Sequence, residues 1–185
     1  MTSPLFAVLA RTLTQSSLAE PARLESRVHG MVPLRASFIR REVVKDRMNG
    51  EVPMLDGETL ASINEIDAPH LEKGDLLWIS SALWQVASAL ADGGGLVKLQ
   101  LLNPQYVEAT KDSGEAVKIV VAGEGDLEDL EAGEEIVALT NSTAFRVRQR
   151  RTAGTCAIEV EGDTYRVLMV EPWEGSWRRL TLARA

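Results

Sequence analysis

Cysteine occurs once in the 185 residues, at Cys156, so no disulfide within the chain is possible. A reducing compartment is the simpler expectation. Histidine is nearly as scarce: His29 and His70 lie far apart and neither has a cysteine near it. A metal centre needs clustered ligands at fixed spacing, so both read as loop histidines and no metal or cofactor is expected. No apolar run approaches the roughly 20 residues that cross a bilayer as a helix. Met1-Thr2-Ser3-Pro4 carries no basic cluster and Arg11 interrupts the apolar stretch after it, so no secretory signal and no membrane partner are expected. Basic charge is also short, with 20 Lys and Arg against 27 Asp and Glu. A net charge of −7 argues against broad, salt-driven binding to nucleic acid. What remains is 45% hydrophobic and 25% charged, enough to bury a core without staples.

Catalytic constellations are missing as well. Cys156 opens an apolar segment, Thr155-Cys156-Ala157-Ile158, with both histidines in the other half of the chain, so it reads as a buried thiol rather than a nucleophile. Gly93-Gly94-Gly95 lies between two strand patterns, which suits a hairpin turn and not a phosphate cradle opening a helix. The acidic run from Glu124 to Glu135 lacks the ordered alternation of a calcium loop and reads as a solvated face or a surface for a basic partner. With no acid, base and nucleophile gathered anywhere, an enzyme is not expected.

The pattern that is present is β. Ser3-Pro4 followed by Leu5, Leu9 and Leu13 predicts a short amphipathic helix over 4–19, stopped by Glu20-Pro21. From Leu34 the period changes to two. Strands are predicted at Leu34–Phe38, Thr59–Ile63, Leu76–Ile79, Trp84–Val86 and Leu96–Leu101. Between the first two, the polar stretch Lys45–Glu51 with its Asn49-Gly50 turn reads as an exposed loop. Beyond Asn103-Pro104 a second set is predicted at Val117–Val121, Ile136–Leu139, Phe145–Val147, Ala157–Val160, Tyr165–Val170 and Trp177–Leu182. The expected fold is mainly β: a small antiparallel barrel with a short N-terminal helix, plus a second β-rich domain. The boundaries drawn are 1–30 for helix and linker, 31–102 for the barrel and 103–185 for the second domain.

The halves echo each other. Trp84-Gln85-Val86 and Lys98–Leu101 face Tyr165-Arg166-Val167 and Arg179–Leu182 at a constant offset of 81 (84 to 165, 101 to 182). Two hairpins of similar length produce such an echo by accident too, so duplication and coincidence both stay open.

The order of features in 34–101 is also informative. An alternating strand, a loop and a second strand lead to Leu71-Glu72-Lys73-Gly74-Asp75, an apolar strand, Trp84-Gln85-Val86, Asp92-Gly93-Gly94 and a final Leu-x-Leu. This cadence resembles the head–tail joining (head completion) proteins of lambda-like siphophages, and the preceding helix fits that family; the resemblance covers 1–102. It implies a non-enzymatic virion protein forming a homo-oligomeric ring, commonly of six copies, at the phage neck. Such a stopper sits beneath the portal and its adaptor ring and receives the tail through a tail terminator or tail-tube protein. It is made in the bacterial host cytoplasm. The simplest members stop near Asn103, so the second half is additional.

A ring needs heterologous faces that close by rotation. Lys45, Asp46, Arg47, Asn49 and Glu51, in a loop that orders on meeting a partner, are interface candidates. So are Trp173 and Trp177, which flank Glu174-Gly175-Ser176 and are expected to be exposed there, although core packing suits Trp177 equally. Arg146, Arg148 and Arg150 alternate and are expected on one strand face. Lining the channel for passing genomic DNA is one reading. A solvated face or inter-subunit salt bridges is the reading that the net charge favours. The nearest alternative is a tail terminator or tail-completion protein, and from another class a soluble β-barrel ligand-binding module.

Overall fold

Strand β6 shows why this sequence folds as sheet. Along Leu96–Leu102, Val97, Leu99 and Leu101 are buried while Lys98, Gln100 and Leu102 are exposed, a period of two that only an extended chain can split between a core and water. The computed structural model of the chain, which describes residues 19–26, 30–40, 59–68, 71–123, 127–131, 133–147 and 156–185, has twelve strands among them. They are β1 (Ala19–Ser26), β2 (Gly30–Arg40), β3 (Thr59–Asn64), β4 (Leu76–Ile79), β5 (Ala82–Ala91) and β6, then β7 (Val107–Lys111), β8 (Ala116–Val121), β9 (Glu135–Thr140), β10 (Ala157–Val160), β11 (Asp163–Pro172) and β12 (Arg178–Arg184). The chain divides into two units, Met1–Asn103 and Pro104–Ala185.

Each unit is a closed antiparallel barrel of six strands, in the order β1-β2-β3-β6-β5-β4 and β7-β8-β9-β12-β11-β10. Closure removes most of the open edges that an isolated sheet of this size would carry. Each barrel has its own core: Leu24, Ala36, Ile63, Leu77, Ile79 and Leu99 in the first, Ile119, Ile136, Ile158, Tyr165, Leu180 and Leu182 in the second.

The Gly-Asp cadence has a mechanical meaning. Gly74 takes φ +89°, a left-handed conformation that glycine adopts without a Cβ clash, and Lys73-Gly74 turns the chain into β4. The Gly74 N–H donates to the Val86 carbonyl at 2.8 Å, and the Val86 N–H donates to the Asp75 carbonyl at 2.9 Å. The Asp75 carboxylate accepts from the Glu72 N–H at 3.0 Å. These residues clamp β5 at its midpoint.

The two barrels are built to one plan. Numbering the strands of each from one to six gives identical neighbours throughout. The registers also coincide: Leu77↔Trp84 and Gln85↔Leu102 in the first barrel match Ile158↔Tyr165 and Arg166↔Ala183 in the second, all displaced by 81. The β5–β6 ladder slips by one residue between Val86 and Ser88, and the β11–β12 ladder slips between Val167 and Met169, again 81 positions on. The β4–β5 turn has two positive φ values, Ser80 and Ser81, and its counterpart has Glu161 and Gly162. The shared bulge, register and turn handedness give the two barrels one plan, beyond a likeness in hairpin length.

Four sequence expectations are altered. The helix over 4–19 lies outside the described residues except for Ala19, which begins β1, and no α-helix occurs among the described residues. The stretch read as linker contains a whole barrel strand, β1. Its pattern is weak because Pro21 falls in it, yet β1 pairs on both sides only over Arg23–Glu25, so Pro21 removes no donor the second ladder needs. β7 was equally hidden in Val-Glu-Ala-Thr-Lys, where only Ala109 is buried. Conversely Phe145–Val147 is not a strand. Side chains hold it as a turn: Thr140 Oγ1 accepts from the Ser142 N–H and Ser142 Oγ from the Ala144 N–H, both at 3.1 Å, and Phe145 plugs into the second core.

Candidate functional site

The bulge in β11 leaves Leu168 without a ladder partner, and the turn that follows β9 lies across from it. Between them lies a cleft of about 470 Å³. It is lined by Lys111 at the end of β7, by Thr143–Arg146, by Cys156, and by Val167–Val170 along the bulge. Lys111 Nζ donates to the Ala144 carbonyl at 3.3 Å and lies 5.9 Å from the centre of the Phe145 ring, a cation–π contact that holds the ammonium over the cleft wall. Two cations, Lys111 and Arg146, border the cleft, and among the described residues no acid lines it. The volume and charge suit a small anionic group on a partly apolar ligand. Cys156 is half-buried at this cleft rather than sealed in the core, while its carbonyl accepts from the Val167 N–H at 2.9 Å.

The sequence-predicted site residues separate. Arg146 is exposed and lies in the turn after β9, not on a strand face, so the alternation that was to align it with Arg148 and Arg150 has no strand under it at this position. Arg148 and Arg150 lie outside the described residues, as do Lys45, Asp46, Arg47, Asn49 and Glu51. His29 and His70 lie outside them too, and among the described residues no group of metal-ligating side chains is found.

Trp173 and Trp177 are buried, at 5% and 9% exposure, so Trp173 does not stand exposed as expected and Trp177 takes the core packing that its sequence left open. The Trp173 N–H donates to the Trp177 carbonyl at 3.1 Å and the Trp177 N–H to the Glu174 carbonyl at 2.9 Å, which closes the turn between them. Trp84 is buried, 5.6 Å from Phe38 in a tilted pair, with its indole Nε1 lacking a hydrogen-bond partner.

Lys111 was missed because β7 was missed. The bulge was legible only through the 81-residue echo, which pairs Ala87 with Leu168. No family model matches the chain, and no curated protein matches it in sequence.

Proposed function

We propose that this chain is a structural virion protein that forms a ring at the head–tail interface of a tailed phage and joins the portal and adaptor complex to the tail. The observation that carries the reading is the ordered cadence of residues 34–101, from the alternating strand through Lys73-Gly74-Asp75 and Trp84-Gln85-Val86 to the Asp92-Gly93 turn. In this fold those residues clamp and turn a barrel, which suits a scaffold whose role is to present loops and edges to neighbours. The partners are further copies of the chain in a closed ring, the portal or adaptor ring above, and a tail terminator or tail-tube protein below.

Electron microscopy of particles assembled with and without the chain tests this. Filled heads and finished tails that fail to join without it are the expected outcome. Normal joined particles lacking the chain at the neck overturn it. A tail terminator or tail-completion protein is the nearest alternative, and its loss would leave the tails themselves unfinished. A ligand-binding module is the second reading, favoured by the Lys111–Arg146 cleft. It predicts that an anionic small molecule raises the melting temperature of the isolated chain.

A further inference from the structure

The shared plan supplies an internal control on surface chemistry, because positions in β4–β6 have counterparts 81 residues on in β10–β12. Beyond the bulge, β5 runs on through Ser88, Ala89, Leu90 and Ala91, paired with β6 on one side. β4 pairs with β5 only as far as Gln85, and no described strand pairs with the other edge of Ser88–Ala91. All four residues are exposed, Leu90 at 69%. From Val86 to Ala91 the strand has no charge and no proline. An exposed edge of this kind is what folded proteins ordinarily block with charge, proline or cover.

The second barrel blocks it. The counterparts of Leu90 and Ala91 are Glu171 and Pro172. Glu171 puts a charge on this strand end, its Oε2 accepting from Arg179 Nη1 of β12 at 2.9 Å, and Pro172 has no N–H to offer an incoming strand. Val170, the counterpart of exposed Ala89, is buried in the core cluster. One plan therefore carries two guards in the second barrel and neither in the first. Ile66, 78% exposed, adds an apolar side chain at the same end of the first barrel, where the Glu65 N–H donates to the Gly95 carbonyl.

We infer that the Ser88–Ala91 edge pairs with the same edge of a second copy of this chain, antiparallel about a two-fold axis. An uncharged edge is its own complement in that arrangement, since no like charges meet, and the alanines and serine let two backbones approach. A pairing of about four residues buries far less than the roughly 1,200 Å² of a stable interface, so the dimer is weak and concentration-dependent. This contact is distinct from the head-to-tail contacts of a ring and does not rest on the neck reading.

Sedimentation equilibrium of the full chain tests it. The weight-average mass of the wild type should climb from 20.2 kDa toward twice that as concentration rises to about 1 mM. The variant Leu90→Glu with Ala91→Pro installs the guards that the second barrel already tolerates in this register, and should stay at the monomer mass. Leu90→Lys, changing one exposed side chain, should also lose association, with circular dichroism showing both variants folded. A wild type that stays monomeric overturns the inference and leaves the edge to a strand of different sequence. Association that persists equally in the folded variants also overturns it.

Discussion

Tyr165 offers a sharp test of how the second barrel is held together. Its ring is fully buried and its hydroxyl donates to the Leu127 carbonyl at 2.9 Å, tying the short 3-10 turn Leu127–Asp129 to β11 across the core. Tyr165→Phe keeps the ring and removes only the donor. The Leu127 carbonyl would not be orphaned, because it also accepts from the Leu130 N–H at 3.2 Å. The cost is therefore the net value of one neutral hydrogen bond, about 1 kcal/mol, and not the larger penalty of a buried acceptor left alone. For a unit of this size that lowers Tm by about 4–8 °C and lowers the urea midpoint at unchanged m. Because the lost bond holds one turn, amide exchange across Leu127–Leu130 should quicken about fivefold. An unchanged Tm together with unchanged exchange at Leu127–Leu130 would refute the reasoning. A loss above about 3 kcal/mol would show instead that the hydroxyl's removal disturbs ring packing.

Three further outcomes follow from the same structure. Leu99 and Leu180 occupy equivalent core positions at 0% exposure, so Leu99→Ala and Leu180→Ala should each cost about 3–5 kcal/mol in chemical denaturation; a cost under about 1 kcal/mol at either would contradict the shared-core reading. Ser81 holds φ +62° where its counterpart is Gly162, so Ser81→Gly should stabilise by up to about 1 kcal/mol in thermal melts, and a fall in Tm would count against the turn assignment. Cys156, half-buried at the cleft, should react with a thiol reagent in the folded chain; reaction only after denaturation would place it in the sealed core that its sequence context suggests.

How much of this was legible in the sequence depended on how strongly each strand alternates. β6 and β12 were readable because leucines recur at every second position. β1 and β7 were not, since β7 buries only Ala109 and β1 buries two alanines and one leucine beside the polar Glu25 and Ser26, a mixture with no apolar alternation to mark it. Phe145 misled in the opposite direction. An aromatic between a basic and a small residue mimics a strand, and only the Thr140 and Ser142 side-chain bonds to the backbone reveal the turn. Trp173 misled because composition does not encode whether a residue beside a hairpin tip is exposed, whereas for Trp177 the sequence left core packing open. The cleft was invisible for a compound reason: it needs the missed β7, the misread turn and the bulge at once.

The contrast between the two barrels carries the remaining argument. Inward positions are alike in kind between the barrels: Leu77 with Ile158, Ile79 with Val160, Val86 with Val167, Leu99 with Leu180. Outward positions are not. Trp78 faces Glu159, Gln85 faces Arg166, and bare Leu90-Ala91 faces guarded Glu171-Pro172. Core packing constrains the inside of both barrels to the same volumes, whereas surfaces answer only to what they touch. The edges differ beside a shared register, as surfaces bound by no common core are free to do. The first barrel keeps an edge able to pair, and the second closes that edge and opens a cleft at the same bulge.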